Sequence, residues 1–414
     1  MKKTIAILLV AVLAAGSVFA GFSGSADLTA GFDIDAKKYG FIGQGTKVTV
    51  AFDVTTGEGA ASGEGDIYAA IKGTFKLEVE ELKDQAKVEL KKEEVPFKLT
   101  ASISEAGIYG SNWSVSIIGD PKAPDYAKDV IDLDKDDKAT FNYAPAYNDG
   151  DAIGVTGKYD DYAFGVAFTG VEDKVNFGAT AETKTFDLNG LTVKGGASVS
   201  KAAGAGLFNA SASADVAYAT DVVSANVKAD LGLAIPTNEA QKFAVGADVQ
   251  LVAKYSDIAL DAYYATKASP KKDKGEPIEN LLSAQVVAPL AQFNVPVTVT
   301  AGVKDAINTT NLFGKVVTTV EQFEITVGGN WAIQPKTWGI NGAVKYSLSD
   351  ATSVTAKVGY TSAELLSASV VAESTGVING ATVTAGWDGA KDLLDKDASK
   401  ENYGKLFAKV AVKF

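Results

Sequence analysis

Three residue types that many proteins use for chemistry are missing from this chain of 414 residues: cysteine, histidine and arginine. Without cysteine, neither disulfides nor thiol chemistry is available. Without histidine, serine triads, histidine-assisted hydrolysis and imidazole metal sites are excluded. We therefore expect no enzymatic activity, no cofactor and no metal site. The formal net charge of −12 also argues against nucleic-acid binding, which needs clustered positive charge.

Long apolar runs are missing as well. After residue 20, no stretch of about eighteen apolar residues occurs, so the sequence predicts no transmembrane helix.

The acidic stretch from Asp132 to Asp137 is similar to the start of a calcium loop. However, Asp137 stands where such a loop needs glycine, and Tyr143 stands where it needs glutamate. We interpret this stretch as a solvated acidic loop.

The chain instead shows a two-residue alternation of apolar and polar side chains, which begins at Phe22 and continues to its end. Successive side chains on a strand point to opposite faces, so the pattern predicts strands with one apolar face. We count about twenty-two candidate strands. A slip in the alternation between Val320 and Phe323 indicates a bulge or a further turn. Short polar turns are predicted at Asp160-Asp161, Asn189-Gly190, Ser256-Asp257 and Ser349-Asp350.

Longer, charged connections separate some of the predicted strands, and in a membrane barrel we expect them to face the outside. Residues 80–94 are rich in glutamate and lysine and could form a short helix instead. The longer connections fall near residues 34–45, 55–65, 81–94, 120–138, 267–280, 305–314 and 388–402.

Two architectures share this alternation, a soluble β-sandwich and a membrane barrel. Twenty-odd strands are too many for one sandwich, because strongly twisted open sheets rarely exceed about ten strands. Aromatic residues near the ends of the apolar runs also suit a membrane interface. We therefore predict an all-β fold, a transmembrane antiparallel up-and-down β-barrel of about 18–22 strands. The aromatic residues in question are Trp113, Trp331, Trp338, Trp387, Tyr346, Tyr360 and Tyr403.

Both ends of the chain point to export. Residues 1–20 combine a basic start, an apolar stretch and a small-residue cleavage site, so we predict a secretory signal peptide followed by a single barrel domain at 21–414. The last strand, from Tyr403 to Phe414, has apolar residues at alternate positions and ends on phenylalanine. This ending resembles the C-terminal assembly signal of bacterial outer-membrane β-barrel proteins of the porin type. The positions that carry it are Leu406, Ala408, Val410, Val412 and Phe414.

That resemblance implies the bacterial outer membrane as location, and outer-membrane lipid and the outer-membrane assembly machinery as partners. The lysine-only, histidine-free composition also faintly resembles major outer-membrane proteins of spirochaetes. Homo-oligomerisation stays open.

If the apolar faces point outward, a set of charged residues faces the interior. A barrel well beyond eight strands leaves room for water there. We therefore predict a weakly selective porin for the passive diffusion of small hydrophilic solutes and ions. The alternative is a major surface or adhesin-type protein whose barrel only anchors its loops. The candidate pore-lining residues are Lys158, Lys194, Lys228, Lys254, Lys345, Lys357, Lys405, Lys409, Asp27, Asp215, Asp230, Asp248 and Asp261.

Overall fold

The computed structural model describes residues 22–35, 37–41, 47–56, 67–79, 97–118, 123–128, 153–171, 174–201, 206–271, 278–395 and 403–413. Within these ranges, no helix is both long and apolar enough to cross a bilayer. The described residues form one 24-stranded antiparallel sheet and a short 3-10 helix, Ala291–Phe293. The predicted leader at 1–20, the suggested helix at 80–94, the acidic loop at 132–137 and Phe414 lie outside the described residues.

The strands are β1 (Phe22–Asp33), β2 (Lys38–Phe41), β3 (Lys47–Thr56), β4 (Tyr68–Val79), β5 (Phe97–Tyr109), β6 (Trp113–Ile118), β7 (Ile153–Tyr159) and β8 (Tyr162–Val171). They continue with β9 (Lys174–Glu182), β10 (Phe186–Leu188), β11 (Leu191–Lys201), β12 (Leu207–Ala219), β13 (Val223–Pro236), β14 (Ala244–Tyr255), β15 (Ile258–Lys267) and β16 (Glu279–Pro289). The last third contains β17 (Val297–Lys304), β18 (Asn311–Val320), β19 (Phe323–Ala332), β20 (Thr337–Ser349), β21 (Thr352–Thr361), β22 (Leu366–Ser374), β23 (Ala381–Ala390) and β24 (Lys405–Lys413).

The sheet closes on itself. Neighbouring strands pair in sequence order, and residues 25–33 of β1 pair with residues 405–413 of β24. β2 and β3 pair with the same side of β1, and β9 and β10 pair with the same side of β11. The twenty-four strands therefore occupy twenty-two positions around a barrel, since two positions hold two strands each. Apart from the short β2 and β10, each described strand pairs on both sides, which leaves no long open edge.

The predicted tight turns form where the sequence supplies residues that tolerate positive φ. Asp160 and Asp161 adopt φ of 46° and 66° between β7 and β8, and Asn189 adopts 60° between β10 and β11. The slip between Val320 and Phe323 is a turn as well, in which Glu321 has φ of 55°. These turns set the register of each hairpin, and the register decides which side chains face outward.

Connections alternate between the two ends of the barrel because neighbouring strands run in opposite directions. One end of the barrel, which we call the long-loop rim, holds the strand ends that flank the longest gaps between strands: Val79, Phe97, Ile118, Ile153, Lys267, Glu279, Ala390 and Lys405. The other end, the short-turn rim, carries residues 110–112, 160–161, 189–190, 220–222, 256–257, 321–322 and 350–351. Most of the predicted long connection at 55–65 lies outside the described residues, and its flanking residues Thr56 and Tyr68 lie at the short-turn rim.

One face of the closed sheet is apolar and exposed. Phe168, Val327 and Ile340 on this face are exposed to 54%, 59% and 57%. Trp331 pairs with Trp338 near the long-loop rim, while Phe323 stacks on its cross-strand partner near the short-turn rim with ring centroids 4.8 Å apart. Soluble monomers rarely expose apolar patches larger than a few hundred Å². An apolar band flanked by aromatic residues is instead the lipid-facing surface of a transmembrane β-barrel.

Side-chain contacts stabilise the seam between β1 and β24 in addition to the main-chain hydrogen bonds between the two strands. The Asp35 carboxylate accepts hydrogen bonds from the main-chain N–H groups of Tyr403 at 2.9 Å and Gly404 at 3.0 Å. Lys405 Nζ lies 3.4 Å from Asp33 Oδ2 across the same seam. Gly404 has φ of +77°, and a Cβ added there would collide with the Asp388 carbonyl oxygen. Gly404 is therefore required for this approach.

We expect Gly404→Ala to impair closure of the barrel, because alanine brings both backbone strain and a clash with main chain. The measurement is heat modifiability after refolding: a closed barrel resists SDS and migrates anomalously until it is boiled. The variant should lose most of the folded band. Gly190→Ala is the control, since its φ of +87° is equally unfavourable but open space surrounds the added methyl group. Equal folded bands for the two variants would contradict the role of the seam.

Candidate functional site on the inner wall

The thirteen candidate pore-lining residues occupy register positions on the face opposite to the apolar one. Lys194 pairs with Asp215, which in turn pairs with Lys228 on the next strand. Asp230 pairs with Asp248. None of the other eight pairs with another candidate, but three of them pair with a charged residue outside the set: Lys405 with Asp33 and Asp388, Lys345 with Glu324, and Asp27 with Lys47. Their role in passage stays a prediction.

Charges of both signs are neutralised pairwise on β11 to β13. Lys228 Nζ lies 4.0 Å from Asp215 Oδ2, and Asn226 Nδ2 donates to Asp215 Oδ1 at 2.9 Å. The side chains of Lys228 and Asp215 are about one-third exposed or less. Solvent still screens such a pair, so its contribution to stability is modest. This part of the wall therefore presents polar groups with little net charge.

A short segment lies against the inner face of the same strands. Residues 123–128, between β6 and β7, are hereafter the inner segment. Ser213 Oγ on β12 donates to the Pro124 carbonyl oxygen at 2.9 Å. The Lys128 N–H donates to Gln250 Oε1 on β14 at 3.2 Å. The segment therefore crosses β12, β13 and β14 on the polar face of the sheet.

Asp230 on β13 is the central anchor of the inner segment. Its carboxylate accepts hydrogen bonds from the Tyr126 N–H at 2.9 Å and from the Ala127 N–H at 2.6 Å. Asp230 is only 2% exposed. A buried carboxylate is tolerated when donors compensate for the lost water, and charge-assisted hydrogen bonds of this kind are roughly twice as strong as neutral ones. The docked segment and the buried acid therefore depend on each other.

Tyr126 fixes the segment sideways toward β9 and β11. Its hydroxyl donates to Glu182 Oε2 at 2.8 Å, and Lys194 Nζ lies 2.5 Å from Glu182 Oε1 and 5.5 Å from the Tyr126 ring centroid. Burial, followed by the hydrogen bond to Glu182, raises the pKa of the Tyr126 phenol. Gly196 lies beneath the segment, where an added Cβ would come 2.5 Å from Pro124 Cβ. Only glycine permits this approach.

An apolar contact completes the docking. Ala127 is 3% exposed and clusters with Tyr263, Ala265 and Leu281 of β15 and β16. Tyr263 keeps its hydroxyl satisfied by donating to Asp248 Oδ2 at 2.9 Å. The inner segment thus combines main-chain hydrogen bonds with a small dry contact, which together hold six residues at a fixed place on the wall.

Three carboxylates meet beside this contact. One oxygen each of Asp125, Asp230 and Asp248 lies within 4.8 Å of the others, a grouping that could hold a metal ion among the described residues. However, both Asp230 oxygens already accept main-chain hydrogen bonds from the inner segment. Burial, and then the negative charge of Asp230, raises the pKa of the Asp125 carboxyl, while Lys128 opposes the shift. We assign the grouping to anchoring rather than to metal binding.

The wall formed by β18 to β21 differs from that of β11 to β13. Lys315 pairs with Thr300 and Gly328, and Lys357 pairs with Ala343 and Ser369. Neither lysine forms an ion pair with a carboxylate in the described part of the chain. The positive charges of Lys315 and Lys357 are therefore not compensated by a described carboxylate.

The inner segment was not identified from the sequence, which predicted a long connection at 120–138 that faces the outside. Residues 123–128 of this connection lie against the inner face of the sheet. A local signal exists in hindsight: Pro124, Tyr126 and Ala127 interrupt an otherwise charged loop. No feature of the sequence around Asp230 distinguished it from the other aspartates that were predicted to face the interior.

No protein-family model matches the chain, and no curated protein matches it significantly. Solved outer-membrane proteins resemble it in shape. The siderophore receptor PirA from Acinetobacter baumannii is 10% identical, with a TM-score of 0.49 over 96% of this chain and 81% of that one. The P pilus usher PapC translocation pore is 8% identical, with a TM-score of 0.41 over 95% and 98%. The outer membrane protein OpdK from Pseudomonas aeruginosa is 7% identical, with a TM-score of 0.38 over 95% and 98%. At these identities the likeness concerns the fold alone.

We expect Asp230→Ala to release the inner segment, because the change leaves the Tyr126 and Ala127 N–H groups unpaired. The natural chain has no cysteine, so a single Ala127→Cys substitution gives a unique, buried thiol whose labelling rate by a maleimide reports undocking. Hydrogen bonds to charged groups contribute about 1.5–3 kcal/mol, so labelling should accelerate at least about tenfold.

Asp215→Ala is the matched control for this measurement. It removes an inner-face carboxylate that makes no hydrogen bond to the inner segment among the described residues. Both variants must first show heat-modifiable migration. Equal labelling rates of the Ala127→Cys thiol in the Asp230→Ala and Asp215→Ala variants would contradict the role of Asp230 as the anchor of the inner segment.

Proposed function

We propose that this protein is a porin of the bacterial outer membrane, with a water-filled channel for the passive diffusion of small hydrophilic solutes and ions. The observation that carries the proposal is the contrast between the two faces of a closed sheet. Valine, phenylalanine and tryptophan cover one face, while lysine, aspartate, asparagine and serine occupy the other. A polar face of this extent must be wet, and twenty-two positions leave space for that water.

The inner wall also supports a proposal for the route and its selectivity. The inner segment occupies the wall of β12 to β16, so solutes pass along the rest of the inner wall, where Lys315 and Lys357 lack acidic partners among the described residues. Selectivity is weak, because both signs of charge line the interior, and it depends on which charges meet at the narrowest point. With no arginine in the chain, all fixed positive side-chain charge on this wall is lysine.

The test uses two neighbouring residues that face in opposite directions. Lys357→Cys places a thiol on the inner face, and Val358→Cys places one on the outer face, where Val358 is 52% exposed. Refolded protein in a planar bilayer should show discrete conductance steps. A negatively charged, water-soluble thiol reagent should change the step size of the Lys357→Cys variant and leave that of Val358→Cys unaltered, because lipid shields the outer thiol.

Absence of any conductance step would sink the porin proposal and favour the alternative, a barrel that only anchors surface loops. Conductance that responds to the reagent at Val358→Cys, and not at Lys357→Cys, would mean that the assignment of the two faces is reversed.

We further propose that the last strand directs assembly through the outer-membrane machinery after removal of the leader at 1–20. The pairs Leu406 with Phe32 and Ala408 with Ala30 set their side chains on the outer face beside β1. Val410, Val412 and Phe414 continue the same alternation in the sequence.

Deletion of Phe414 should therefore lower the amount of heat-modifiable protein in outer-membrane fractions several-fold, while the barrels that do form keep their conductance. Deletion of Val377, in a β22–β23 turn on the short-turn rim, serves as the control for a shortened chain. Normal outer-membrane levels after the Phe414 deletion would contradict an assembly role.

A further inference from the structure

A pocket opens in the inner wall under the connection between β17 and β18. Its volume is about 320 Å³, which lies at the lower end of the range for small-molecule sites, about 300–1,000 Å³. It exists because Gly328 stands between Lys315 and Asn341 in the register and contributes no side chain. An added Cβ at Gly328 would come 2.8 Å from Asn341 Oδ1, so any larger residue would fill the space.

The polar groups in the pocket belong to two types. Lys315 is exposed and has no carboxylate partner among the described residues, and its ammonium can only donate. Asn311, Asn330 and Asn341 carry carboxamides that both donate and accept. A single long contact of 3.4 Å, from Asn330 Nδ2 to Asn311 Oδ1, uses little of this capacity.

The one acidic residue of the pocket is already engaged. Asp305 is 6% exposed, and its carboxylate accepts hydrogen bonds from the Asn308 N–H at 3.1 Å and from Asn308 Nδ2 at 2.7 Å. It closes its own turn and does not neutralise Lys315. A second ammonium, that of Lys304, lies 5.6 Å from the centroid of the Phe313 ring at the pocket wall. In the described part of the chain, the pocket therefore combines one lysine without a carboxylate partner, Lys315, with three carboxamides.

We propose that this pocket is a binding subsite for monosaccharide-sized, hydroxyl-rich anions, such as sugar acids and sugar phosphates. The Lys315 ammonium matches the anionic group of the solute, since it donates without accepting. The carboxamides match hydroxyl groups, which also donate and accept. The proposal rests on the proposed porin function for its place in a diffusion path, and it deepens that function by naming a preferred solute class.

The test combines channel recording with calorimetry on the refolded full chain. In a planar bilayer, gluconate and glucose 6-phosphate should block the potassium chloride current in a saturable manner. Acetate, inorganic phosphate and glucose should do so only at concentrations at least about tenfold higher, because each lacks either the hydroxyl groups or the charge. Titration calorimetry in detergent should show the same ranking without any need for conductance.

Two variants separate the two kinds of recognition. Lys315→Gln should raise the half-blocking concentration of gluconate about tenfold, the loss of one charge-assisted contact. Asn341→Ala should reduce the preference for gluconate over acetate by a similar factor. Lys391→Gln is the matched control: it removes a lysine from the same rim, outside the pocket, and should leave the block by gluconate as it is in the natural protein.

The outcomes keep the two proposals apart. The subsite is overturned if the channel conducts but gluconate does not block it preferentially. It is also overturned if Lys315→Gln leaves the block by gluconate unchanged, and in both cases the porin function stands. Calorimetric binding of gluconate without conductance supports the subsite and overturns the porin. Equal block by glucose 6-phosphate and inorganic phosphate would also overturn the proposal, because the pocket would then recognise charge alone.

Discussion

Inside hydrocarbon a peptide group has no water to bond with, and each unpaired N–H or C=O costs several kcal/mol. Pairing of β1 with β24 removes the two edges that an open sheet would expose. Once the sheet is closed, each strand has one face toward lipid and one toward the interior, which fixes the side of each residue by parity alone. The charged inner wall, the docked inner segment and the pocket beside Lys315 all follow from that closure.

Two stretches of the inner wall differ in how their charges are paired. Around β11 to β16, acids and lysines are paired, and the Asp230 carboxylate is consumed by main-chain donors from the inner segment. On β18 and β21, Lys315 and Lys357 face threonine, glycine, alanine and serine instead, whereas Lys345 on β20 pairs with Glu324. The compensated charges hold the inner segment in place. The charges of Lys315 and Lys357 have no carboxylate partner in the described part of the chain, and the proposed interaction with solutes rests on them.

The strands and most tight turns could be predicted from the sequence because their causes are local. Alternation shows the two faces, and residues such as Asn189 and Asp161 mark turns through their tolerance of positive φ. The docking of residues 123–128 could not be predicted, because its cause is distant: the hydrogen bond from Tyr126 to Asp230 spans 104 residues. The roles of Gly196 and Gly328 could not be predicted either. In a sequence, a glycine that permits close packing or leaves space for a pocket looks the same as a glycine in a loop.

The seam has a kinetic consequence. The Tyr403 N–H that Asp35 binds lies 368 residues further along the chain. Closing a loop of that length carries an entropic cost, and contacts so distant in sequence are formed slowly. Until the last strand arrives, the first strand and the latest one made are both open to pairing with other chains, which is the condition under which β-proteins aggregate. Two open edges therefore persist until β24 pairs with β1, and only this last pairing removes both of them.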